Sequence, residues 1–248
     1  MLSFDPRAAK ALVALAALIL LSAAPRHGQA AIIPAGQSVT LDQLVAGSSI
    51  VVGDKVFSGF SYGSTNDMPL ASGVSVIGIQ TGNSVILQFS GTFRDLPGGP
   101  ASDAGLGFDV TVTDPLRVIK QVNLAGTLTT IGDTAEVHID EGFSGLPPGS
   151  PGFPDMYIER KIVGGVLSPF NQSEDSVNFQ DTHGVQGFQS FRVLKNILAD
   201  AGSGTFNAAR VTTFTQTFDQ ELIPEPATLS LAGLSALAMV GATRRRRR

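Results

Sequence analysis

The chain has 248 residues with a formal net charge of −4, and it contains 28 glycines and 14 prolines but no cysteine and no tryptophan. Without cysteine, a disulfide framework, a cysteine-ligated zinc site, an iron–sulfur cluster and a cysteine nucleophile are all excluded. Residues 31–223 carry nine basic and nineteen acidic residues, a formal charge of −10, which makes this part of the chain a poor partner for nucleic acid.

The first predicted element is a secretory signal over residues 1–30. Arg7 and Lys10 precede a 14-residue apolar run, residues 11–24, which is shorter than an ordinary membrane-spanning helix. Gly28 and Ala30 supply the small residues that signal peptidase needs for cleavage after Ala30. An uncleaved anchor helix is the alternative. The pattern predicts export of a body that comprises residues 31–223.

The body is predicted to be all-β, with one short helical turn at residues 41–45 capped by Thr40. Two-residue turns are predicted at Gly53-Asp54 and at Gly82-Asn83, the second joining a hairpin of residues 74–80 and 85–93. Residues 107–113, 135–140 and 211–218 alternate in polarity or are rich in threonine and phenylalanine, as strands are.

Short strands with regular breakers between them favour a β-sandwich or barrel. We expect a β-sandwich, and the choice between a jelly-roll and an immunoglobulin-like strand order stays open. Proline-rich residues 146–154 are predicted to form a surface loop. A boundary between two small β domains is the alternative. Val56, Phe57 and Phe60 are expected to anchor the core.

Glu136, His138 and Asp140 stand at alternate positions of one predicted strand, so their side chains share a face. Such a row is a weak candidate for a metal site or for acid–base chemistry. The competing interpretation is the solvated face of a half-buried strand, and it is the one we expect.

A second polar cluster combines Glu174 and Asp175 with Asp181 and His183 in a stretch that is predicted to be loop. Its oxygen ligands would suit Ca²⁺, although the pattern of an EF-hand loop is not present. Nucleophile-elbow, phosphate-loop and dinucleotide motifs do not occur in the sequence. We therefore expect no enzymatic activity and no cofactor, with Ca²⁺ as the one exception to test.

The C-terminal segment, residues 224–248, has three parts. Pro224, Glu225 and Pro226 precede a 17-residue apolar run, residues 227–243, and five arginines follow it. At 1.5 Å per residue the run spans about 25 Å as a helix. Five arginines do not cross a bilayer cheaply, so they are expected to stay cytoplasmic while the body lies outside.

This three-part ending resembles the PEP-CTERM sorting signal of Gram-negative bacteria. The resemblance implies that Pro224, Glu225 and Pro226 are read by an exosortase, and that the transmembrane helix anchors the protein only until it is processed. A permanent tail anchor is the alternative.

Three segments of the body also resemble a poorly characterised group of PEP-CTERM proteins: residues 50–62 (IVVGDKVFSGFSY), 193–197 (VLKNI) and 214–220 (FTQTFDQ). That group implies no activity and no catalytic residues.

The sequence thus predicts an exported, non-enzymatic surface or extracellular-matrix protein. The resemblance implies a place in the exopolysaccharide of a biofilm. A secreted glycan-binding module or a glycan-active enzyme is the alternative.

Overall fold

The computed structural model describes residues 31–145, 156–183 and 185–223. Fourteen strands, two short α-helices and one 3₁₀ turn (Ala71–Gly73) make up this part of the chain. In chain order they are β1 (Ile32–Pro34), β2 (Ser38–Thr40), α1 (Leu41–Val45), β3 (Ser49–Val52), β4 (Lys55–Ser64), β5 (Ser75–Thr81), β6 (Ser84–Asp95), β7 (Ser102–Val112), β8 (Arg117–Ile131), β9 (Thr134–Ser144), β10 (Met156–Val163), β11 (Val166–Leu167), β12 (Glu174–Asn178), α2 (Phe179–His183), β13 (Ser190–Asp200) and β14 (Ala208–Leu222).

The strands form two sheets. Sheet A has eight strands in the order β1-β3-β4-β7-β13-β9-β10-β11, and sheet B has six in the order β12-β8-β14-β6-β5-β2. The pair β1–β3 is parallel, and the other strand pairs are antiparallel. Strands β13 and β14 lie inside their sheets, with a neighbour on each side.

The apolar faces of the two sheets pack against each other. Phe57 of sheet A lies with its ring centroid 5.3 Å from that of Phe218 of sheet B. Phe108 of sheet A lies 6.0 Å from Phe89 of sheet B. Buried side chains from both sheets form one hydrophobic cluster. The body is therefore mostly β in a sandwich-like arrangement, as the alternation of its strands predicts.

The predicted β5–β6 hairpin is confirmed. Thr81 pairs with Ser84 across the turn, and Gly82 has a φ of 61°, which glycine adopts at no steric cost. The predicted turn at residues 53–54 is also present, since Val52 pairs with Lys55. Helix α1 forms at the predicted residues, but the Thr40 side chain makes no capping hydrogen bond.

Two of the three predicted core anchors in β4 are confirmed. Phe57 and Phe60 are both buried although they are three residues apart. A bulge between Ser58 and Ser61 adds the extra residue that returns Phe60 to the inner face. Val56 is only half-buried, and Lys55 takes the inward position instead. The prediction for Val56 is wrong because Lys55 and Phe57 both face the core at the start of β4, which turns the intervening Val56 toward the other side of the sheet.

The predicted loop around residues 174–183 is also wrong, because strand β12 and helix α2 occupy it. Five consecutive residues of β12 pair with β8 at the edge of sheet B. The pairing with β8 stabilises this strand, which the polar local sequence does not predict.

Several predicted features lie outside the described residues: the signal with Gly28 and Ala30, the loop at 146–154, and the segment that begins with Pro224, Glu225 and Pro226. Among the residues that the structure does describe, no helix is both long and apolar enough to span a membrane.

Close packing between the sheets makes Gly78 a sensitive position. A Cβ atom there would lie 2.4 Å from Cγ2 of Val52 and 3.0 Å from Cγ2 of Ile50, on the opposite sheet. Gly78→Ala is expected to lower the free energy of unfolding by about 1–3 kcal/mol through overpacking. Urea denaturation followed by circular dichroism would measure it.

Gly63→Ala is the matched control, since a Cβ atom at Gly63 has no neighbour within 4 Å. It should change stability by less than about 0.5 kcal/mol. Equal effects of the two substitutions would contradict the packing described here.

Candidate functional site

The solvent-facing side of sheet A, called here the outer face, carries the predicted row on β9. Glu136, His138 and Asp140 are half-buried and point outward, whereas Val137 and Ile139 are fully buried. The predicted sharing of one face is therefore confirmed. It follows from the two-residue period of an extended strand.

His138 lies between the two carboxylates of its row. Its Nδ1 atom is 3.1 Å from Oε1 of Glu136, and its Nε2 atom is 3.4 Å from Oδ2 of Asp140. A neutral imidazole donates to only one acceptor, whereas an imidazolium donates to both. His138 thus bridges the two carboxylates of the row.

Glu136 has a second partner, a lysine, on the neighbouring strand. Lys161 of β10 pairs in register with Glu136, and its Nζ donates to Oε2 of Glu136 at 2.6 Å. Partial burial acts to raise the pKa of Glu136, but the hydrogen bonds from Lys161 and His138 outweigh it and lower that pKa. The hydrogen bond to Glu136 raises the pKa of Lys161. The row is thus a small charge network.

Tyr157 adds an aromatic surface to this network. Its ring lies 5.5 Å from that of His138, at an interplanar angle of 40°. Burial, together with a hydrogen bond to Glu159 and the nearby acids, raises the pKa of Tyr157. The backbone N–H of Tyr157 donates to Oδ2 of Asp175 at 2.9 Å, which ties the strand to β12 of the other sheet.

One line of residues crosses five strands of the outer face. The registers place Gly63, Gly105, Asn196, Asp140 and Tyr157 in order on β4, β7, β13, β9 and β10. We call these five residues the cross-strand row. Four strand spacings make it about 19 Å long.

The two glycines leave one half of the cross-strand row without side chains, because positions 63 and 105 have nothing within 4 Å of a Cβ atom. Asn196 is exposed and Asp140 is half-buried beside it. An amide, a carboxylate and a phenol therefore project at one end of a smooth shelf. These groups donate and accept hydrogen bonds with hydroxylated ligands.

Two cavities adjoin sheet edges. One of about 160 Å³ is lined by Glu136, Lys161, Asp200 and Gly202 among others, at the end of the charge network. A larger one of about 580 Å³ lies against Asn123, Glu174 and Asp175. Glu174 and Asp175 alternate along β12, with Asp175 in the phase of buried Val177. Glu174 and Asp175 of the predicted second polar cluster thus lie on opposite faces of β12.

Among the side chains that the structure describes, no group of three or more histidine, aspartate or glutamate residues is arranged to hold a metal ion. The His183 side chain of the second predicted cluster lies outside that description. Beside Glu136, the ammonium group of Lys161 supplies the positive charge.

Sequence reasoning missed three members of the outer face: Tyr157, Lys161 and Asn196. Tyr157 lies between buried Met156 and Ile158, so its outward position was accessible from the strand period. The contacts of these three residues with β9 could not be predicted, because pairing between strands that are distant in the sequence cannot be inferred from local pattern.

No protein-family model and no curated protein matches the chain. Among solved structures, it is similar to endoglucanase 3 of Trichoderma harzianum from family GH12, with 10% identity, coverage of 65% of this chain and 98% of that chain, and a TM-score of 0.24.

It is also similar to a family 11 carbohydrate-binding module from Clostridium thermocellum, with 9% identity, coverage of 63% and 87%, and a TM-score of 0.20. A family two carbohydrate esterase from Cellvibrio japonicus matches with 13% identity, coverage of 67% and 36%, and a TM-score of 0.20. Likeness at these TM-scores carries no argument about ligand or activity.

The charge network predicts a pH-dependent stability. Lys161→Met should lower the free energy of unfolding by about 0.2–1 kcal/mol at pH 7, the usual range for a solvent-exposed ion pair. A lowered carboxyl pKa stabilises the fold above the unfolded-state value and is lost as the pH falls through the folded-state value. The difference between variant and parent should therefore shrink below pH 4.5, the ordinary pKa of Glu136.

Urea denaturation from pH 3 to pH 8 would measure this difference, with Lys161→Met in a Glu136→Gln background as the control. In that background the substitution should have little pH dependence over the same range. A loss that is equally large at pH 3 would show that Lys161 acts through packing and not through Glu136.

Proposed function

We propose that the protein is an exported, non-enzymatic surface protein whose C-terminal segment is a sorting signal. The observation that carries the proposal is where the β body ends. Strand β14 lies between β6 and β8 and runs to Leu222. The backbone N–H of Ile223 donates to the carbonyl oxygen of Leu116. Pro224 is the next residue.

This position is compatible with processing beyond the body. The strands and the core cluster of the described residues all lie before Pro224. At the other end, β1 begins at Ile32, two residues after the expected cleavage at Ala30. Both processing sites thus flank the body without entering it.

The net charge of the body fits the same role. Residues 31–223 are strongly acidic, which favours solubility and discourages adsorption to anionic surfaces. We place the processed protein in the extracellular polysaccharide matrix. An exosortase and signal peptidase are its partners during export.

Replacing Pro224, Glu225 and Pro226 with alanines tests the sorting signal. The apolar run and the arginines stay unchanged, so membrane insertion should survive while processing fails. Mass spectrometry of the native host's membrane and extracellular fractions should find an unprocessed, membrane-bound form. The double variant Thr228→Ala/Ser230→Ala is the matched control, because it keeps the tripeptide, and it should be processed normally. Equal mass and equal membrane fraction for parent and triple variant would reject the sorting signal and leave an ordinary anchor.

A second candidate function is glycan binding by the outer face. The cross-strand row favours it, since a smooth shelf with hydrogen-bonding groups at one end suits a chain that lies across the strands. The Tyr157 ring adds an apolar surface for stacking.

Glycan binding is tested with Asp140→Ala/Asn196→Ala. Affinity electrophoresis against the host's own extracellular polysaccharide should show at least about a tenfold loss of affinity, or 1.4 kcal/mol. Thr215→Ala/Thr217→Ala, on the outward side of sheet B, should bind as the parent does. Equal binding by both double variants would reject the outer face as the site. Shortening of the polysaccharide by the parent would favour a glycan-active enzyme over a binding module.

A further inference from the structure

Three polar side chains meet inside the core between the two sheets. Lys195 of β13 and Glu141 of β9 come from neighbouring strands of sheet A, and Gln216 of β14 comes from sheet B. Their side chains are buried. Lys195 Nζ donates to Oε2 of Glu141 and to Oε1 of Gln216. We call these three residues the core triad.

The surroundings of the core triad are apolar. Lys195 Nζ lies 5.8 Å from the centroid of the Phe214 ring. On their own strands the three triad residues share the inward-facing side with buried Val193, Ile139 and Phe218. Burying a charged lysine and a charged glutamate in such a place is strongly unfavourable, because both ions lose their hydration. That cost calls for a role beyond an ordinary ion pair.

We propose that Lys195 and Gln216 form an intramolecular isopeptide bond, with Glu141 as the acid–base residue. The Nζ atom of Lys195 attacks Cδ of Gln216, and an Nζ–Cδ bond forms. The Cδ–Nε2 bond breaks, and Nε2 leaves as ammonia. Glu141 takes a proton from Nζ and passes one to Nε2, so it ends unchanged. No oxidant, reductant or other reactant is consumed.

The contacts suit each step of this reaction. Nζ already touches the amide group that it attacks, and the reacting groups are held by two strands of a packed core, which replaces a bimolecular encounter by a preset geometry. Oε1 of Glu141 and Nε2 of Gln216 are buried and have no hydrogen-bond partner among the described residues. These are the atoms between which the proton must travel.

Burial also favours the protonation states that the reaction needs. Desolvation lowers the pKa of Lys195 and raises the pKa of Glu141, which the positive charge of Lys195 and contacts with Lys195 and Gln216 partly oppose. An uncharged amine is a nucleophile, and a protonated carboxyl can polarise the amide carbonyl and protonate the leaving nitrogen.

A second lysine–glutamine contact provides an internal control. Lys55 Nζ donates to Oε1 of Gln220, and its carboxylate partner is Asp54 at 3.0 Å. The Asp54 side chain is 20% exposed, whereas that of Glu141 is fully buried. We assign the bond to the core triad because water is excluded from all three of its members.

The test is peptide mass spectrometry of the full chain purified from the native host, after denaturation and proteolysis. The expected product is one peptide pair joined between Lys195 and Gln216, lighter than the two peptides together by one ammonia. The pair should be absent from Lys195→Met and should persist in Lys55→Met. Glu141→Met should form it at least about 100-fold more slowly, the usual contribution of acid–base catalysis. Circular dichroism would confirm that each variant is folded.

The parent protein alone can overturn the proposal, whatever the variants do. Unlinked peptides that carry intact Lys195 and Gln216 would show that the core triad is only an ion pair. A linked pair lighter by one water would place the bond between Lys195 and Glu141. Loss of the link in Lys55→Met would show that the bond involves Lys55, so that its assignment to Lys195 is wrong. An undiminished rate of bond formation in Glu141→Met would show that Glu141 takes no part in the reaction.

Discussion

The fold depends on an aromatic layer between the two sheets. At its centre Phe108 lies against the rings of Phe57, Phe60, Phe89 and Phe218, two of them on the opposite sheet. A buried phenylalanine contributes about 1.5–3 kcal/mol relative to an exposed one. In a chain with no cysteine, this layer must offset the entropy of ordering two large sheets, and Gly78 shows how closely the sheets approach in order to do so.

A polar group inside such a layer must find a hydrogen-bond partner among very few candidates, because its surroundings are apolar. Lys195 and Lys55 each reach from sheet A to a glutamine of β14, so these two links between the sheets converge on one strand. The two contacts also unite the three segments at 50–62, 193–197 and 214–220, which are distant in the sequence. These interior polar groups contact each other across the two sheets. Other polar side chains face solvent on the outer face, where the cross-strand row places glycine, asparagine, aspartate and tyrosine in one line.

Local pattern predicted much of this architecture. The β5–β6 hairpin followed from a glycine turn between alternating runs, and the outward row on β9 followed from a two-residue period. The same period placed Glu141, Lys195 and Gln216 in the apolar phase of their strands, a signal that was present but unused. Three predictions failed. The strand entry of β4 is shifted by one residue, so that Lys55 is buried in place of Val56; a polar stretch forms β12 and α2; and the Thr40 side chain does not cap α1.

Strand period and turn chemistry act over a few residues, so the all-β class, the hairpin and the identity of one polar face could be read from residues 31–223 alone. Strand order could not, because pairing is decided by which edges and apolar faces can be buried together across the whole chain. Nothing in the local sequence brings Lys161 to Glu136, or Asn196 and Tyr157 to either side of Asp140. The core triad depends most on this, since Lys195 and Gln216 belong to different sheets and meet only where the two apolar faces pack together.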